Sequence, residues 1–468
     1  MPTQRIRDPL HDLIEFSDRE LERTLWDVVQ TRPFQRLRRV KQLGFSELVY
    51  PGATHSRFAH SLGVFHTSRR LMEIVRRHTN DNPTKENHAL AAALVHDLGH
   101  GPYSHAFEKV GKRLKLKLAD HEHMSDRLIR EGEVADVLNR MGSGFASDVA
   151  DIIKKDGRKT VHNAVVSSQF DADRLDYMRR DRMMTGVRHA AIDFEWLLAN
   201  LEIGSVSIGV DETSLGSVDT FVLGAKATQA AEAYVLGLFQ LYPTVYFHKA
   251  TRGAEKLFTE LLVRVVTLVR ERSMKATGLG SRHPIVRFAL APDDLDIALC
   301  LDDSVIAGSL SLMADAPDPL VSQFARRLRD RKLYKCIDIR LKVAHILDTD
   351  SQNTPERVEE IDRCCAAINQ KLTALVEQSA DPVPQILIDL DKRSPYKSGG
   401  ESVGPLDRIN IHTGGRVLVD LKQRSSVVAS LTTFQLFRAY FDPNNGAARS
   451  DIERIVDQEV ASCRRGTH

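Results

Sequence analysis

The feature that most limits what this chain can become is a concentration of histidine on a helical pattern. Ten of the 18 histidines fall between His55 and His123, where an even spread would give about three. The stretches SRFAHSLGVFHTSRRLMEIVRR and NHALAAALVHDLG carry apolar residues at three- and four-residue spacing, and VVSSQFDADRLDYMRRDRMMTG does so more raggedly. Gly99, Gly101 and Pro102 stop one of these helices and Gly186 another. Many of the histidines stand beside Asp, Gly or Arg where a helix ends, so metal or proton chemistry is their leading explanation.

His96 and Asp97 close the apolar run ALAAALV just before Gly99. An imidazole and a carboxylate at the end of a buried helix need partners, and a divalent cation that accepts mixed nitrogen and oxygen ligands is a good one. A lone His-Asp pair is about nine times in ten a solvated helix end. Here His60 lies on a helix 36 positions upstream and Asp173 on another 76 positions downstream, so the elements can converge in a helical bundle. Each alone is unremarkable. Together, H…HD…D is a strong metal-site signal.

Composition excludes several classes. Hydrophobic residues at 42% and charged residues at 27% are those of a soluble globular chain, and 468 residues suffice for a large core. A formal charge of +2 predicts no dominating surface field, so any affinity for an anion must be local. The start, MPTQRIRDPLHDLIEF, does not read as a signal peptide, and no stretch reaches the roughly 18 apolar residues of a membrane span. Cys300, Cys336, Cys364, Cys365 and Cys463 are odd in number and lack zinc-type spacing, which makes a reducing cytoplasm the simplest setting.

The pattern is mostly helical from 31 to about 274, with VSIGV at 206–210 as a strand ahead of a helical stretch from 221 to about 272 that Pro243 should kink or divide. Beyond Pro284, QILIDL, RINIHT and RVLVDL alternate as strands do, the last two joined by Gly414 and Gly415 in a hairpin. A helix over 356–377 precedes them, and FQLFRAYF and DIERIVDQEV read as helices after them. The expected architecture is mainly α: a helical core followed by a smaller α+β region.

The series RFAHSLGV, HDLGHGPYSH, DHEH and DADRLDYMRRD closely resembles the HD-domain deoxynucleoside triphosphate triphosphohydrolases. RDPLHD, FQRLRRVKQLG, VYFHK and RKLYK have counterparts there too, so the likeness is nearly chain-long. It implies a helical HD phosphohydrolase core over 1–280 and a C-terminal α+β region over 281–468, packed on that core and involved in oligomerisation as a dimer or tetramer. It also implies a divalent metal, with Mn, Fe, Mg, Zn, Ni and Co not distinguishable, held by His60, His96, Asp97 and Asp173. Arg57 and Arg174 take the place of phosphate clamps, the relatives having lysine where Arg174 stands. His100, His105 and His121 with Glu108 resemble the catalytic group, with His105 first and His121 second as general acid. Gln42, Leu43, Tyr177, Asp181 and Tyr246 fall where the family holds the deoxyribose. His55, His66 and His123 receive no role and read as surface residues.

Arg38, Arg331 and Lys335 fit positions that contact an activating nucleotide in the relatives. Gln30 stands where an activator-reading Asp is expected, and Trp196 and Leu238 stand where arginines are expected. The implied activity is metal-dependent hydrolysis of deoxynucleoside triphosphates. Two alternatives remain beside it: an HD-type phosphohydrolase of nucleoside monophosphates, cyclic nucleotides or other phosphoesters, and a nucleic-acid-binding or regulatory protein that uses the core as a scaffold. The basic runs QRLRRVK and RRLRDRK give the last only weak support at so small a net charge.

Overall fold

In the computed structural model, residues 2–80, 82–154, 160–210, 213–347, 355–394, 396, 407–413 and 417–465 are described. The fold is mainly α, with small sheets. The chain divides into two compact units, each assembled from separated stretches rather than by one cut near residue 280: Met1–Tyr246, Ala291–Ile306 and Ser394–Thr432 form the first, and Phe247–Leu290, Ala307–Arg393 and Thr433–His468 the second.

The first unit is built on two adjoining helices, Arg57–His78 and Pro83–Val95. Ser56 caps the first by accepting the Ala59 N–H, and Asn82 caps the second by accepting that of Lys85, with Pro83 opening the first turn. Every residue from Ala89 to Val95 is buried, so the second half of this helix is apolar all round and runs into the interior, while residues 83–85 lie exposed. The helices His105–Leu114, His121–Arg130 and Ala172–Thr185 supply the remaining walls of the site. Gly186 ends the last at φ 74°, a left-handed C-terminus that glycine adopts without strain.

A hairpin of Gln4–Asp8 and Asp12–Phe16 precedes these helices, and the Asp8 carboxylate closes its turn by accepting the N–H groups of Leu10 and His11 at 2.9 and 3.0 Å. The expected strand at 206–210 lies within Leu201–Val210, which pairs antiparallel with Thr213–Leu223. Phe221 is therefore in a strand, and the helix expected from 221 begins at Thr228. It runs to Leu241, passes into a π turn over Tyr242–Tyr246 that contains Pro243, and Lys249–Arg270 follows as a separate helix. Proline lacks the N–H that an α turn needs, and the wider turn accommodates it.

Strands Asn410–Thr413 and Val417–Asp420 pair antiparallel as the hairpin reading requires, with Gly414 and Gly415 themselves outside the described residues. They do not belong with the C-terminal region. Asn410 and Ile411 pair in parallel with Val222 and Leu223, which extends the sheet of the first unit.

In the second unit FQLFRAYF is a strand, Phe434–Phe441, rather than the expected helix. It is central in a sheet between Lys335–Asp338 and Ile386–Arg393. A central strand with apolar residues on both faces imitates helical spacing, which is why its periodicity misleads. Helices Ile339–Leu347, Pro355–Glu377 and Gly446–Arg465 provide the apolar core around Cys364, Ile368, Phe437 and Ile452. DIERIVDQEV lies in the last of these, as read. Cys364 and Cys463 bring their sulfurs together with Cα atoms 6.2 Å apart, a pairing that the cysteine spacing did not suggest.

Candidate metal centre and active site

His60 occupies the second turn of the Arg57–His78 helix and is fully buried. His96 and Asp97 follow the last turn of Pro83–Val95, and Asp173 sits in the first turn of Ala172–Thr185. The His60 Nε2 lies 3.0 Å from Asp173 Oδ1 and 3.7 Å from Asp97 Oδ2. His96 Nε2 is 3.4 Å from Asp97 Oδ1 and 3.7 Å from Asp173 Oδ1, so it is buried without a hydrogen-bond partner among the described residues. Donor atoms of His60, His96 and Asp97 all fall within 4.8 Å of one another. Two imidazoles and two carboxylates converging around an unsatisfied nitrogen suit a divalent cation better than any internal hydrogen bond.

Electrostatics point the same way. Burial disfavours charge on His60, yet hydrogen bonds to Asp173 and Asp176 outweigh it and push its pKa up to about 10. Burial likewise disfavours the Asp97 carboxylate, but Arg57 and His96 hold it well below the usual range. Positive charge is wanted here whether protons or a cation supply it, and cation binding would displace the protons.

A second cluster adjoins the first. His100, His105, Glu108 and His121 also place donor atoms within 4.8 Å of one another, and His100 Nε2 stands 3.3 Å from Asp97 Oδ1. Glu108 Oε1 lies 2.6 Å from His121 Nδ1, 3.1 Å from His105 Nδ1 and 3.9 Å from His100 Nδ1. The His100 and His121 rings stack at 4.1 Å. Burial, Arg57 and His121 hold His100 well below its ordinary pKa, whereas the Glu108 hydrogen bond overcomes burial and raises that of His121. A glycine makes this approach feasible, because a Cβ at Gly99 would collide with the His121 carbonyl and Ser125.

Arg57 joins the clusters, donating to Asp97 Oδ2 and, at 2.8 Å, to Ser104 Oγ. The turn that carries Ser104 is strained: Tyr103 and Ser104 have φ of 54° and 55°, which side-chain-bearing residues rarely adopt. Asp303 fixes it by accepting Tyr103 N–H at 2.7 Å and Lys41 N–H at 3.0 Å, while the Tyr103 ring stacks on Phe45 at 3.9 Å. Buried Arg36 clamps the neighbouring turn through the His100 carbonyl at 2.7 Å.

On the other side, Tyr246 donates to Asp181 Oδ2 at 3.0 Å, and the rings of Tyr177 and Tyr246 meet edge-on at 6.3 Å. His55 Nε2 bonds Asp181 Oδ1 at 2.8 Å. His55 is thus buried at 7% exposure and not the surface residue expected, while His66 is half-buried and His123 is exposed. Gln42 Oε1 is buried without a partner among the described residues, and Leu43 beside it is half-buried. Arg174 donates to the Ser168 carbonyl and sits 3.6 Å from Asp171.

Of the three residues aligned with activator contacts, Arg38 is exposed in the first unit, over the Phe58 ring at 3.6 Å, while Arg331 and Lys335 are exposed in the second. Gln30 is exposed, Trp196 is 48% exposed and Leu238 is buried.

Residues 57–183 match the HD domain family model, a span that contains all four proposed ligands and the second cluster. The chain is 32% identical over 433 residues to the uncharacterized protein YwfO of Bacillus subtilis, covering 91% of this chain and 88% of that one. It is 26% identical over 487 residues to the deoxynucleoside triphosphate triphosphohydrolase SAMHD1 of Mus musculus, covering 93% of this chain and 68% of that one. The chain belongs to the HD-domain dNTPase-like family. The fold of this family is shared by a phosphohydrolase from Bacteroides thetaiotaomicron, with a TM-score of 0.70 at 23% identity over 94% of this chain and 99% of that one. HD-family membership makes the chain a hydrolase of the phosphohydrolase type with a His/Asp cluster fit for a divalent metal. Among the described residues no helix is long and apolar enough to cross a membrane.

The sequence reading missed Asp8, His11, Asp176, Arg180 and Asp303. The first four lie in the segments RDPLHD and DYMRRD, already conspicuous as charge in otherwise patterned stretches. Asp303 lies about 200 positions from the turn it anchors, and no local pattern announces it.

Proposed function

We propose that this protein hydrolyses deoxynucleoside triphosphates to deoxynucleoside and triphosphate. The observation that carries the reading is the pair of adjoining clusters, one suited to a cation and one to protons, meeting at Asp97 and His100. The likeness to SAMHD1 supports the substrate class.

His60, His96, Asp97 and Asp173 would hold the divalent cation, which supplies Lewis-acid stabilisation of phosphate charge and an acidified water. Arg57 and Arg174 bind phosphate oxygens. Water oxygen forms a bond to the α-phosphorus as the bond to the 5′ oxygen breaks. As an imidazolium, His105 donates Nδ1–H to Glu108 and gives its Nε2 proton to the 5′ oxygen, while the proton lost by the attacking water passes to solvent. His105 is the most exposed histidine of its cluster, at 66% of its side chain, and so meets an entering substrate first. Asp181 and Gln42 accept from the 3′ hydroxyl, and Tyr177 and Tyr246 leave no room for a 2′ hydroxyl. The active form is a homo-oligomer, a dimer or tetramer, and works in the cytoplasm; Arg38, Arg331 and Lys335 contact nucleotide phosphate at its interfaces.

One observation favours a second substrate class. Leu238, where the relatives carry a phosphate-binding arginine, is buried and apolar, which favours monophosphates or phosphodiesters. Ion-exchange analysis of products from Mn-loaded and chelator-treated protein with each dNTP and NTP decides between them. Metal-dependent tripolyphosphate from dNTPs alone, lost in Asp97→Ala, is the expected result. Absence of tripolyphosphate from every dNTP, with or without a second nucleotide, would sink the reading.

A further inference from the structure

The segment RDPLHD takes no part in the chemistry above, yet the fold carries it to the back of the metal cluster. His11, at the turn of the N-terminal hairpin, places Nε2 2.6 Å from Asp176 Oδ1. Asp176 Oδ2 lies 2.9 Å from His60 Nδ1, and Arg180 donates to both oxygens, at 2.7 Å to Oδ2 and 3.0 Å to Oδ1. Four donors thus saturate the lone pairs of one carboxylate. Asp8 completes the assembly by accepting from Arg180 at 2.8 and 3.3 Å while its Oδ1 also holds the backbone of His11. None of these side chains exceeds 5% exposure. Gly63 leaves the space they occupy, since a Cβ there would overlap both Asp176 and Arg180.

A neutral imidazole that donates its Nδ1–H to a carboxylate presents Nε2 as the free lone pair. On His60 that is the atom facing Asp173 and Asp97. We propose that the N-terminal hairpin is a working part of the metal centre: His11 and Asp8 hold Asp176 and Arg180 so that Asp176 fixes the tautomer and orientation of His60. Asp176 and His11 are then positioning residues and not ligands, a role that rests on reading the four-residue cluster as a cation site. A merely structural ion-pair cluster would stabilise the fold without governing metal affinity, and the two roles separate experimentally.

The measurement is Mn2+ affinity of the full chain after chelator stripping, read from the electron paramagnetic resonance of free Mn2+, with thermal melting of each metal-free protein alongside. His11→Ala and Asp176→Asn should weaken Mn2+ binding by about 10- to 100-fold. His11→Gln, whose amide can still donate to Asp176, should recover most of it. Arg7→Ala, on the same hairpin but paired with exposed Asp12, should bind as the wild type does. Because Asp176→Asn risks misfolding, His11→Ala decides, as it removes one of four donors. Wild-type affinity in folded His11→Ala overturns the proposal, and so does an equal loss in Arg7→Ala, which would trace the effect to hairpin stability. A wild-type chain that binds no Mn2+ removes the cation site itself, a failure distinct from the other two.

Discussion

The first histidine cluster sets two carboxylates against two imidazoles, and the second sets one carboxylate against three. Both are built on helix ends and they share a wall at Asp97 and His100, yet they differ in what they can hold. The first sets one carboxylate against each imidazole and leaves His96 Nε2 unbonded among the described residues, an arrangement that suits a cation. The second is graded in exposure, from His100 at 3% through His121 at 26% to His105 at 66%, with Glu108 at its hub. Such an arrangement suits the passage of protons between interior and solvent. The ratio of carboxylate to imidazole, rather than the number of histidines, separates the two tasks.

Asp97→Ala should break the comparison most severely, because Asp97 belongs to the first cluster and borders the second. Metal content by mass spectrometry should fall to background and turnover by roughly 10⁴-fold, the scale of several kcal/mol of Lewis-acid stabilisation. His105→Ala should keep its metal and lose about 10²- to 10³-fold in kcat, as the loss of a general acid does. If His105→Ala lost metal instead, the division of labour would be wrong. Tyr246→Phe, which removes the hydroxyl that bonds Asp181, should cost about 1 kcal/mol of sugar discrimination. It should raise NTP use relative to dNTP roughly fivefold in competition assays, with kcat on dNTPs little changed.

The smallest effect concerns a histidine outside both clusters. Burial, His11 and Arg69 push His66 down to about 4, so the unfolded chain binds its proton more readily than the folded one. Its contribution therefore destabilises the protein as pH falls from about 6.5 toward 4 and changes little above that window. Melting temperatures of wild type and His66→Phe, compared across that range, should diverge from the value at pH 7 only in the wild-type direction of lower stability. Parallel curves would place the acid sensitivity elsewhere.

Much of this was legible because helix periodicity and the H…HD…D spacing are local signals that survive without knowledge of tertiary contacts. His60, His96, Asp97 and Asp173 are carried by three helices, and those helices formed where the apolar spacing placed them. Phe434–Phe441 was misjudged because burial on both faces erases the alternation that marks a strand. The return of Asn410–Thr413 to the first unit depends on pairing with residues nearly 190 positions earlier, beyond any window of pattern. His55 looked like a surface residue because its partner, Asp181, lies 126 positions away. Polar residues reveal their role through partners, and most partners here are distant in sequence.

The π turn at Tyr242–Tyr246 has an implication for how such a chain changes length. A π turn in a helical run is equivalent to an α-helix into which one residue has been inserted. Removing one residue from this stretch would restore the α spacing and leave Tyr246 on nearly the same face, because the extra residue is what the wider turn absorbs. Removing a residue from the regular helix Thr228–Leu241 would instead turn Tyr246 by about 100° away from Asp181, so the chain can change length at the π turn and not in the helix before it.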